Sequence, residues 1–312
     1  MKLKTKTIIS AVTLLTLVAL FIYYLKTNIS DFKQLTLVSP YLLIVLIIIF
    51  VSRYFIISQI SIILLKQLST RLFYKEAYAL SVITGFYNLI TPFLGGIAAR
   101  AVYLKKKHKF PYVNFLATLS ASYILLFLFA SFMGVISTLL IYLSTETFPL
   151  IIFLIFNGIF LVLLFTVILS PKLKERKNKW LNRFIEVING WHLIKDNKKV
   201  VLSVAALLLV QLLLSSLMLF LQFKIFGIDI GFTKVIFLIS IGTIGMILTI
   251  TPANLGIDEA IIVFSASTIG ITPAQALAVA LLGRAISLVV LFILGPIFSY
   301  TLIKSPQKQK TK

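Results

Sequence analysis

A chain of 312 residues that is 60% hydrophobic, only 12% charged and has a mean hydropathy of +1.06 is too apolar for a soluble domain, where about a quarter of residues carry charge. Its net charge of +21 lies in short clusters between apolar runs, which points to a membrane surface and away from a nucleic-acid partner. With no cysteine and only two histidines, His108 and His192, both beside basic residues, the chain has no ligand set for a metal centre, and no cofactor is expected.

Apolar runs long enough to cross a bilayer, about 20 residues each, recur along the whole length. They predict spanning helices at 8–25, 41–65, 112–143, 148–169, 200–225 and 273–303. The first follows a basic start like that of a signal peptide, but its run is longer than an h-region and no A-x-A-like site follows, so it reads as a retained helix. Two shorter apolar pieces remain, 76–90 and 234–250, each ending in Thr-Pro. The segment 170–199 places Trp180, Phe184, Val187, Ile188 and Trp191 at near-helical spacing among lysines, the pattern of a helix lying on a leaflet.

Of the 30 Lys and Arg, 24 fall in residues 1–7, 66–75, 100–109, 170–199 and 304–312. The positive-inside rule makes these segments cytoplasmic, with both termini inside a cell (cytoplasmic) membrane. Segment 76–99 then starts and ends inside, whereas 234–270 starts and ends outside. Each must enter and return on one face, and a helix of 15 residues, at roughly 22 Å, is shorter than the hydrocarbon core.

Aligning the Thr-Pro pairs sets GFYNLITPFLGGIAAR (85–100) over GMILTITPANLGIDEA (245–260) at a constant offset of 160. The fold class this implies is an all-α integral membrane protein, with about six spanning helices and two re-entrant Pro/Gly-broken hairpins in an inverted-topology repeat. The single transmembrane domain divides into an N-terminal helix and loop (1–39), a first repeat (40–145), a connecting helix with a basic loop (146–199), a second repeat (200–303) and a basic tail (304–312). In transporters built this way the substrate site lies near mid-membrane, where broken helices bare backbone groups that lipid cannot satisfy. That places Pro92, Gly96, Pro252 and Gly256 among the candidate substrate-binding positions.

Asp258 and Glu259 directly follow the second break. Adjacent carboxylates resist ionising together, and a helix N-terminus favours negative charge, so one reads as a cap and the other as a group turned to the cavity. Glu259 is the stronger candidate for proton or cation coupling or for a cationic headgroup; a structural ion pair explains it as well. Arg100 closes the first hairpin, where its fork suits a phosphate. Arg53 and Arg284 sit mid-helix in IFVSRYFI and LLGRAISL, and each needs a partner or an anionic ligand. Arg284 is expected to pair with Glu259 or face a phosphate, and Arg53 to flank the first hairpin. Asn88, Asn254 and Gln59 rank second as hydrogen-bonding groups.

With these residues in view, the chain resembles the flippase-type transmembrane domain of bacterial lysylphosphatidylglycerol synthases and its free-standing relatives. The first hairpin is similar to that family's N-x-x-x-P-x-x-x-G followed by Arg, here Asn88, Pro92, Gly96 and Arg100. The second is similar to P-G-G-L-G-V-R-E-A, here PANLGIDEA, and Arg284 in ALLGRAISLVV fits as well, so the resemblance covers roughly 40–300. Asp258 stands where the family often has Arg, Ile97 where an acid is common, and Ser122-Tyr123 where Glu-Arg often occurs.

The resemblance implies a lipid flippase-like transporter that moves a phospholipid, aminoacylated or not, or a polyprenyl-phosphate-linked lipid between leaflets. Its partners would be membrane lipids recognised by an anionic headgroup or lipid phosphate, and a separate lipid-modifying enzyme. The soluble domain that transfers lysine in fused members has no counterpart in these residues, so no enzyme activity is expected. A membrane subunit of a phosphatidylglycerol lysyltransferase system and a small-solute secondary transporter are the alternatives. No nucleotide-binding loop occurs.

Overall fold

The computed structural model describes residues 37–145, 148–169, 174, 182, 185 and 189–304. The helix expected at 8–25 lies outside them. Among the described residues there is no strand. The chain runs through α1 (Leu42–Gln67), α2 (Tyr74–Ile90), α3 (Gly95–His108), α4 (Tyr112–Thr145) and α5 (Leu150–Leu169), then α6 (Lys198–Ile225), α7 (Phe232–Gly245), α8 (Ile257–Ser267) and α9 (Pro273–Lys304). Five of these, α1, α4, α5, α6 and α9, are long and apolar enough to cross a membrane, and they coincide with the expected spans from 41–65 onward.

These helices are apolar on all sides, as lipid requires, so no amphipathic stripe tells their faces apart. Their serines and threonines are satisfied locally: Ser58 Oγ donates to the Phe55 carbonyl, Thr138 Oγ1 to Gly134 and Thr166 Oγ1 to Val162. Such hydroxyls add polarity to the sequence without making a site. Helix α6 starts at an Asn197 cap, whose Oδ1 accepts from the Val200 N–H at 3.2 Å.

Packing exchanges elements between the two halves of the chain. Helix α1 lies on α6, α2 on α9, and α7 on α4. Glycines set the closest approaches: a Cβ at Gly295 would overlap the Phe86 ring, and one at Gly85 would overlap Tyr54. Helix α5 is peripheral, burying only Phe156 and Thr166; the Phe156 ring seats against Gly134 of α4 and meets Phe237 edge-on.

One expectation is corrected here. Trp191, read from spacing as part of a helix on the leaflet surface, is 2% exposed and packs in a cluster with Ile56, Ile124 and Leu208, so this end of the basic segment is fastened into the helix bundle. Its indole occupies a gap between α1, α4 and α6 that spacing along one segment does not reveal. Trp180, Phe184, Val187 and Ile188 lie outside the described residues.

Candidate functional site

The two Thr-Pro breaks follow one backbone plan. Thr91 and Thr251 are extended, a proline follows, and the next two residues are left-handed: Phe93 and Leu94 at φ 54° and 56°, Ala253 and Asn254 at φ 51° and 55°. Each such residue without glycine's freedom is disfavoured by roughly 1–2 kcal/mol, so the surrounding contacts must hold it. After the turn, α3 starts at Gly95 and α8 follows Gly256, itself at φ 82°.

In the first break the candidate residues mostly bind one another. Asn88 Oδ1 accepts from the Ile97 N–H at 3.3 Å, and a Cβ at Gly96 would overlap the Thr84 carbonyl, so both residues bring α3 close against α2. Pro92 opens the turn between them. Arg100 points to α1, where its Nη2 donates to Ser61 Oγ at 2.6 Å, while its Nε is buried without a partner.

In the second break Arg284 reaches across from α9. Its Nε and Nη2 donate to Glu259 Oε1 at 2.9 and 2.6 Å, and Nη1 donates to the Ala253 carbonyl, holding the left-handed turn in place. The other oxygen of Glu259 accepts from the Gly256 N–H at 2.6 Å and satisfies a donor at the start of α8. Glu259 is thus both the cap and the ion-pair partner. Asp258 accepts from Asn254 Nδ2 and stands 4.0 Å from Arg284, with its side chain 42% exposed. Thr251 Oγ1 donates to the Leu255 carbonyl at 2.9 Å, closing the loop that Pro252 begins.

Beside this network lies a cavity of about 320 Å³ lined by Arg53, Gln222, Thr243, Asp258, Glu259 and Arg284. Arg53 therefore faces the second hairpin's cavity, not the first hairpin it was expected to flank. Its neighbour Tyr54 is the residue that packs on α2 at Gly85, and the turn of α1 carries the two in different directions. Arg100, Asn88, Pro92 and Gly96 are not among the residues lining the cavity. Sequence reasoning missed Gln222 and Thr243; the only signal for Gln222 was an amide in an apolar helix that also carries Gln211, and in the fold it lies against Gly283 of α9.

A second polar cluster, also missed, joins the ends of α2 and α3 away from the break. Glu76 Oε1 accepts from Tyr103 at 2.6 Å and lies 2.8 Å from His108 Nε2 and 3.1 Å from Lys107. Burial pushes this carboxyl up, but the hydrogen bonds from His108, Tyr103 and Lys107 outweigh it and leave it lowered to about 2.

The model of one protein family, the lysylphosphatidylglycerol synthase transmembrane region, matches residues 8–295, nearly the whole chain. The chain belongs to that family. No curated protein and no solved structure matches it. Membership makes it a multi-pass membrane protein of a family linked to membrane lipid handling. Among the described residues no group of His, Cys, Asp and Glu is arranged to hold a metal ion.

Proposed function

We propose that this protein moves a lipid between the leaflets of the membrane, with the cavity beside the second break as the place where the headgroup passes. The observation that supports this most is the cavity itself, which gathers two cations and two carboxylates within helices whose outward surface is hydrocarbon. Arg284 and Glu259 satisfy each other, but Arg53 and the part-exposed Asp258 leave charge in the cavity that is unfavourable in a membrane domain unless a polar ligand or water meets it.

The helix lengths support the same reading. Helices α2 and α7, of 17 and 14 residues, reach about 25 and 21 Å against roughly 30 Å of hydrocarbon. On this view both pairs enter and return, and the cavity opens beside the second break, near mid-membrane as in an inverted repeat.

A lipid is favoured over a small solute by an apolar groove of about 680 Å³ between α5, α7 and α8, lined by Ile152, Phe156, Ile244, Leu248, Ile257 and Phe264. Helices α7 and α8 line both this groove and the polar cavity. On this reading acyl chains would lie against the apolar face of that helix pair while the headgroup meets the charged face.

The test is leaflet exchange of fluorescent phospholipids in proteoliposomes holding wild type or Asp258→Asn, a cavity residue outside the central ion pair. Exchange above that of empty vesicles, reduced in the variant, is expected. Folded wild type that moves no lipid, or that instead takes up a water-soluble solute, would sink the proposal.

A further inference from the structure

The charged groups of the cavity are not equally committed. Arg284 spends three donors on Glu259 and the Ala253 carbonyl. Glu259 is saturated by Arg284 and the Gly256 N–H, and Asp258 is held by Asn254. Arg53 alone of these four has no carboxylate among the described residues: its Nη1 lies 4.0 Å from the Met218 sulfur, and its Nε is buried with no hydrogen bond to any of them. A guanidinium in the middle of a membrane helix is retained against a cost of several kcal/mol, and its planar fork matches a phosphate.

We infer that Arg53 is the anchor for a singly charged phosphodiester bound in this cavity. The inference rests on the reading of the cavity as a lipid site and names the group it recognises. Charge balance selects the diester. Glu259 is taken by Arg284 and Asp258 by Asn254, so the one cation left to be matched is Arg53, which a monoanion pairs one for one, whereas a phosphomonoester dianion or a diphosphate brings further negative charge that nothing in the cavity matches and faces Asp258 as well. Arg284 is the positioning residue that shapes the wall. Arg100, fixed to Ser61 and outside the cavity, takes no part in this contact.

Binding to purified full-length protein in detergent tests this with four probes. Dihexanoyl phosphatidylglycerol is a lipid diester, glycerophosphoglycerol the same diester without tails, dihexanoyl phosphatidic acid a monoester, and dihexanoylglycerol has no phosphate. Wild type should bind the lipid diester at least about tenfold more tightly than the other two lipids, and Arg53→Met should weaken that binding by about ten- to a hundredfold. Arg53→Met should also melt no lower than wild type, because it removes an unpaired buried cation, and Arg53→Lys should keep part of the affinity. Equal binding of the soluble and lipid diesters, both lost in Arg53→Met, would uphold the anchor and assign it to soluble phosphodiesters. Unchanged binding in Arg53→Met, or a preference for phosphatidic acid, overturns the inference even if leaflet exchange is observed. Binding that depends on Arg53 in a protein that moves no lipid would instead leave the anchor standing and remove the transport reading.

Discussion

Removing the charge from Arg284 should unfold the second break. In Arg284→Met, Glu259 keeps only the Gly256 N–H, and the Ala253 carbonyl loses its donor inside a turn already held at φ 51°. The side chains of Arg284 and Glu259 are 13% and 12% exposed, so solvent screening offers little relief. Breaking one partner of such a pair destabilises by about 3–5 kcal/mol. Glu259→Gln should be milder, about 2–3 kcal/mol, because of the three bonds that Glu259 accepts an amide oxygen still takes either the Arg284 pair or the one from the Gly256 N–H. The double variant should recover part of the loss, giving a coupling energy above about 1 kcal/mol. Denaturant titration in mixed micelles, followed by helical circular dichroism, measures all three variants. A charge swap should restore little, since arginine at 259 has no acceptor for the Gly256 N–H. If Arg284→Met lies within about 0.5 kcal/mol of wild type, or the single effects simply add, the ion pair does not hold this turn.

Four further outcomes follow from other contacts. Ala253→Gly should raise stability by about 0.5–1 kcal/mol, because relief of the left-handed strain exceeds glycine's added freedom in the unfolded chain; a loss in the same titration would contradict the turn geometry. Gly96→Ala should lower stability by about 1–3 kcal/mol, since its methyl meets the Thr84 backbone and α3 must move away from α2. Asn197→Ala should remove the cap of α6 at about 1 kcal/mol, seen as faster amide exchange at Val200. For Glu76, whose carboxyl is lowered from 4.5 to about 2 in the folded state, the stabilisation is complete above pH 4.5 and is lost as pH falls toward 2. Glu76→Gln should therefore be less stable than wild type at neutral pH and approach it near pH 2, and curves that stay parallel across that range would refute the cluster's role.

The apolar runs, with their lengths and their proline and glycine interruptions, are local properties, and they were sufficient to determine an all-α membrane fold, five helices long and apolar enough to cross the membrane and the positions of both breaks. The 160-residue offset even matched Phe93-Leu94 with Ala253-Asn254, which share a left-handed backbone because the same short loop must reverse the same kind of helix pair. The sequence also offered Glu259 as one of two partners for Arg284, the other being a phosphate, because a buried charge must find an opposite one; the fold contains the ion pair. It did not reveal which residues share a cavity. Helices that are apolar on every side carry no stripe to show which face turns inward, so the rotation of α1 that brings Arg53 to the second hairpin, and the packing that seats Gln222 against Gly283 or joins Glu76 to His108, were decided only when the helices packed. Arg100 shows the converse: its place in the sequence beside the first break suggested a ligand contact, and the direction of α3 turned it to Ser61.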